Sequence, residues 1–129
     1  MILAFLFLFG SLLFVGRAQQ DSGATLKQLV GKWRYDHSIG TANPSHGDLM
    51  FTISADGGYR SSITNSFGPH SIEGNVVIRD GLFILTATNR DNVQVSLADR
   101  QTIVRFDGKE LVTRSEGSTV DNVFRKEKP

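Results

Sequence analysis

Leu29-Val30-Gly31-Lys32-Trp33-Arg34-Tyr35-Asp36 is the stretch on which the fold turns. Just before it, Thr25-Leu26-Lys27-Gln28-Leu29-Val30 reads as a short helical turn. Thr25 suits a cap, and Leu26, Leu29 and Val30 share a face at i, i+3, i+4 spacing. At Gly31 the period changes. Trp33 and Tyr35 alternate with Lys32, Arg34 and Asp36, the two-residue period of a strand buried on one side and wet on the other.

The same period recurs downstream. Leu49, Phe51 and Ile53 alternate with Met50, Thr52 and Ser54, and Tyr59, Ser61 and Ile63 alternate with Arg60, Ser62 and Thr64. Ala55-Asp56-Gly57-Gly58, Arg79-Asp80-Gly81, Asp107-Gly108 and Glu116-Gly117 mark turns, because Asp-Gly supplies the positive φ that tight hairpins require. Strands are expected at 31–38, 48–55, 58–65, 71–79, 82–88, 102–107, 109–115 and 119–126. If each strand reverses the last, the tight turns at 56–57, 80–81 and 107–108 fall at one end. The polar segments 38–47, 65–70 and 89–101 then form the other, a loop-rimmed mouth. Val93 to Leu97 also alternates, but an even strand count returns the final strand to the floor beside Trp33. On that parity, the segment reads as part of a mouth loop. The expected fold is all-β: a small eight-stranded antiparallel up-and-down barrel with a short N-terminal helical turn.

Leu29-Val30-Gly31-Lys32-Trp33 resembles the Gly-x-Trp signature that opens lipocalins and the wider calycin group. Arg125, in Val123-Phe124-Arg125-Lys126, matches the C-terminal arginine that packs across that tryptophan. Ile78-Arg79-Asp80-Gly81-Leu82 and Lys109-Glu110-Leu111-Val112 are similar to segments of small bacterial lipocalin-like domains. The resemblance covers most of the chain after residue 18 and implies a barrel that binds a small molecule. Gly31, Trp33 and Arg125 would close its floor, with the guanidinium on the indole face. Further lipocalin motifs are not evident, so no binding residue is carried over from that family.

The ligand-contacting candidates come from strand phase. Tyr35 and His37 follow Trp33 on the inward phase, and Phe51, Tyr59 and Ser61 face the same interior. Phe67 sits on a predicted mouth loop, placed to close over a ligand or meet a partner. An inward His37 could also ligate haem or act as a base. His46 and His70 fall in separate loops, and no paired spacing marks a metal site. There is no cysteine nucleophile, no Gly-x-Ser-x-Gly elbow and no phosphate-cradling glycine loop, so no enzyme, cofactor or metal is expected.

Met1 to Val15 is almost wholly apolar, too short for a stable membrane anchor, and Gly16-Arg17-Ala18 offers small residues for cleavage. Residues 1–18 read as a signal peptide and 19–129 as the barrel domain, exported to a periplasm or outside the cell. The chain has 14 Lys+Arg, 13 Asp+Glu and no Cys. Loss of Arg17 leaves thirteen charges of each sign, without a basic run, which argues against nucleic acid and against a polybasic membrane patch. No disulfide can help stability. The reading is an exported lipocalin-like binding protein holding a small, partly apolar or mixed-polarity ligand in its barrel. The alternative is a secreted protein-interaction or inhibitor module that uses the mouth loops.

Overall fold

The computed structural model describes residues 24–40 and 48–128. In chain order they form α1 (Leu26–Leu29), β1 (Gly31–Ile39), β2 (Asp48–Ile53), β3 (Gly58–Asn65), β4 (Gly68–Arg79), β5 (Leu82–Arg90), β6 (Val93–Phe106), β7 (Glu110–Ser115) and β8 (Asp121–Lys126). The signal-peptide segment, His46 and most of the 38–47 loop lie outside the described residues. Every strand pairs antiparallel with the next, and β1 pairs with β8, giving a closed eight-stranded up-and-down barrel. The expected fold is what forms. Closure leaves few strand edges to protect.

The inward phase supplies the core. Trp33, Phe51, Ile53, Val76, Phe83, Leu85, Ile103, Leu111 and Phe124 form one buried cluster. Leu29 of α1 joins it fully buried, with Leu26 packed alongside, so the helical turn plugs the floor. Gln28 holds that turn by accepting from Thr25 N–H at 2.9 Å. Phe51 is the hub of the aromatic packing, with ring centroids 6.4 Å from Trp33, 5.6 Å from Tyr59, 6.0 Å from Phe83 and 5.0 Å from Phe124. Outside the wall, Val112 and Val123 are also buried. The Arg125–Glu110 pair flanks them on one side and Arg114–Asp121 on the other.

Two segments expected as loops are strand and hairpin. Asp91 and Asn92, at φ 51° and 67°, make the two-residue turn between β5 and β6, and Val93–Leu97 begins β6. The strand count stays even because this stretch runs on into the expected strand at 102. Ser66 and Phe67 likewise turn β3 into β4, with Asn65 Oδ1 accepting from Phe67 N–H at 2.8 Å.

Carboxylates hold the turns. Asp56 accepts from Ser54 Oγ at 2.6 Å and Gly58 N–H at 3.0 Å. Asp91 accepts from Ser71 N–H at 2.8 Å and lies 3.1 Å from His70 Nδ1, and Asp107 accepts from the N–H groups of Lys109 and Glu110. These hydrogen bonds lower all three carboxyls below their ordinary 3.8. A depressed folded pKa gives stability that is present above the unfolded value and lost as pH falls through the folded one. The urea midpoint is therefore expected to drop as pH goes below 3.8, and Asp107→Asn to flatten that drop. A midpoint insensitive to acid would contradict this assignment.

Candidate functional site

The floor places the site by closing one end. Trp33 is fully buried and its Nε1–H donates to Leu29 O at 3.0 Å. Gly31, at φ +136°, lies where a Cβ would come within 2.9 Å of Lys126 Cε. A side chain here would be strained by the positive φ and would displace the end of the Lys126 side chain. The cation over the indole is Lys126, with Nζ 5.6 Å from the ring, not the expected Arg125. Register gives the reason: Lys126 pairs with Trp33, while Arg125 pairs with Arg34 on the outer face. There Arg125 lies 3.4 Å from Asp36 and 3.6 Å from Glu110. The parity argument brought the last strand to the correct end, one residue out of phase.

Above the floor, the interior keeps a cavity of about 80 Å³ lined by Leu49, Phe51, Tyr59, Phe83, Gln101, Thr113 and Phe124. One side is hydrocarbon and aromatic ring. The other is polar: Thr113 Oγ1 donates to Gln101 Oε1 at 2.6 Å, and Gln101 Nε2 donates to Asp99 Oδ2 at 2.9 Å. Asp99 shares its phase with Gln101 and pairs with the buried Leu85, which sets its carboxylate at the rim of this inner wall. Burial raises the Tyr59 phenol above its ordinary 10.0; a hydrogen bond with Ser61 opposes the shift, and the Asp99 charge adds to it. Tyr59 is thus a neutral hydroxyl, able to donate or accept. Nearby, the Tyr35 hydroxyl and Ser38 Oγ share a hydrogen bond of 2.5 Å, and Ser38 Oγ donates to Asn122 Oδ1 at 2.8 Å.

Of the candidates read from sequence, Phe51 and Tyr59 line the cavity and Ser61 supports Tyr59 from the same strand face. Tyr35 faces inward beside Phe124, its ring centroid 5.9 Å away. His37 is a correction. A bulge between Tyr35 and His37 turns it onto the outer wall opposite Val123, where Nδ1 lies 2.6 Å from Asp36. From the outer wall His37 cannot serve as a ligand to a group held in the cup. Phe67 stands 86% exposed at the tip of the β3–β4 hairpin, outside the lining of the cavity. His70 is tied to Asp91 at the start of β4. Gln101 escaped notice because residues 89–101 read as a loop, hiding the inward phase of β6; Thr113 lies in an expected strand, but its role shows only through its bond to Gln101. Among the described residues, no group of three metal-ligating side chains occurs.

A larger groove, about 580 Å³, crosses the outside of β2–β5, with the Arg60–Glu73 ion pair among its walls. It is broad and open to solvent, without the converging aromatic walls of the cup. The cup is therefore the better candidate despite its size.

No protein-family model matches this sequence, and no curated protein matches it. Among solved structures, the chain is similar in fold to LTBP1 as found in a complex with LTC4, at TM-score 0.54 and 15% identity. That match covers 87% of this chain and 80% of the other.

Proposed function

We propose that this protein is an exported, lipocalin-like binding protein, not a catalyst, and that its barrel holds a compact ligand of mixed polarity. The observation that carries the reading is the lining of the cup: four aromatic rings and Leu49 on one side, Gln101 and Thr113 on the other. Drug-sized ligands occupy pockets of about 300–1,000 Å³. A cavity of about 80 Å³ is far smaller, with room for only two or three waters. The ligand is therefore either very small or places only its head in the cup, with the remainder in the mouth. The Asp99 carboxylate at the rim favours a head that donates hydrogen bonds or carries positive charge, and the aromatic faces favour the same.

Native mass spectrometry of the protein purified gently from its own host tests this. The expected result is a stoichiometric small-molecule adduct, released on denaturation. Gln101→Leu should weaken its binding about tenfold through the lost polar partner. An apo mass under all conditions, together with no response of the cup residues in NMR to small amines, would overturn the proposal.

A further inference from the structure

We propose that the floor of the barrel seats on an anionic membrane surface through its lysines, a reversible electrostatic contact rather than an anchor. The chain has five lysines, Lys27, Lys32, Lys109, Lys126 and Lys128, with no basic run in sequence. The fold gathers all of them at one end. Lys27 lies on α1, which plugs the floor, and Lys32 stands at the start of β1. Backbone bonds draw the others in: Lys126 N–H donates to Lys109 O at 2.9 Å, and Glu127 N–H to Lys32 O at 2.8 Å. Every one of these lysines is exposed.

Their charges are free where those of most arginines are not. Every ion pair among the described residues uses arginine or histidine, and none uses lysine. The carboxylates nearest the lysines are already engaged. Asp107 accepts from the backbone N–H groups of Lys109 and Glu110. Glu110 pairs with Arg105 and Arg125, and Glu127 with Arg34 at 3.0 Å. Across the floor, Arg79 and Asp80 offset each other beside the β4–β5 turn. The mouth half holds no lysine. There Arg90, Arg100 and Arg114 are outnumbered by Asp91, Asp99, Glu116 and Asp121. The barrel is thus positive at the floor and negative at the mouth, although the two signs nearly balance over the chain.

That pattern fits a broad anionic plane better than a soluble polyanion. Lysine is a flexible, strongly hydrated point charge suited to a diffuse field, whereas close recognition of single phosphates favours the arginine fork. Lys109, Lys126 and Lys128 line a groove of about 510 Å³ beside the β6–β7 turn, with room for lipid headgroups. Lys27 and Lys32 extend the charge to α1 and β1. The chain also reaches the barrel at this end, because the apolar stretch Met1–Val15 leads through residues 16–25 into α1. Held in a membrane, that stretch sets the floor, and not the mouth, against the headgroups. After its removal the lysines alone supply the attraction, each acting within a Debye length of the surface. The negative mouth faces away, which leaves the cup open.

Co-sedimentation of the purified protein with vesicles tests this, comparing phosphatidylcholine alone with phosphatidylcholine mixed with phosphatidylglycerol. The expected result is binding to the anionic vesicles only, falling steeply as salt rises. Lys109→Gln with Lys128→Gln should weaken it by about tenfold or more. Lys126 is kept because it also sits over the Trp33 ring. Arg90→Gln with Arg100→Gln removes the same charge from the mouth half and should leave binding at wild-type strength. Unchanged Trp33 fluorescence checks that both variants are folded. Equal binding to both kinds of vesicle, or to neither, overturns the proposal. So does a folded floor variant that binds like wild type, or a mouth variant that loses as much. Binding to inorganic polyphosphate without binding to vesicles overturns it too, and assigns the face to a soluble polyanion.

Discussion

Trp33→Ala is expected to lower stability by about 3–5 kcal/mol in urea unfolding, the usual range for removing a large aromatic from a core. The side chain is fully buried, stacked on Phe51 at 6.4 Å and tilted against Phe106 at 6.2 Å. Its loss also leaves Leu29 O without its buried donor, which loosens α1 from the floor. The partner is what distinguishes this barrel from the pattern its opening motif resembles. A double-mutant cycle of Trp33→Phe with Lys126→Met should show coupling of about 0.5–1 kcal/mol. The same cycle with Arg125→Met should be additive, because Arg125 stands on the opposite face of β8. Coupling to Arg125 of equal size would mean that the last strand is shifted by one residue.

That one-residue offset shows where sequence reading ends. Val123-Phe124-Arg125-Lys126 alternates in either phase, since a valine and a phenylalanine are equally good inward residues. Only pairing decides, and Phe124 opposite Tyr35 and Leu111 gives Lys126 the phase of Trp33, at the floor's open edge. His37 failed for a related reason. The bulge at Asp36 changes the face of everything beyond it, and no residue type there announces a bulge. Asp91-Asn92 is different, because the signal was present. Both residues tolerate the left-handed region, and their φ values of 51° and 67° fit a primed hairpin turn. Reading them as the tip of a hairpin would have extended β6 upward and brought Asp99 and Gln101 onto the inner wall. The strand count and the floor were legible, since Asp-Gly turns and period-two runs are local features. The polar half of the cup was not, because it depends on the register of one long strand.

Gly74→Ala is the second substitution expected to have a large effect, about 2–3 kcal/mol or more, with Gly74→Val worse. A Cβ built here would lie 2.1 Å from Thr86 O and 2.9 Å from both Thr86 C and Ala87 Cα. All three are backbone atoms of β5, so no rotamer change can relieve the contact. The strands must separate, and this is the point where the β4–β5 register already shifts between Glu73 and Gly74. The same residue pairs with Tyr59 on its other side. Strain there reaches the wall of the cup directly, so a variant that still folds should also bind ligand more weakly. Asn75→Ala serves as the control. Its neighbouring position faces outward, and an exposed substitution of that kind stays within about 0.5 kcal/mol. The check is urea unfolding of both variants followed by Tyr59 pH titration. A Gly74→Ala protein as stable as the control would show that β4 and β5 lie farther apart than the close approach at Thr86 requires.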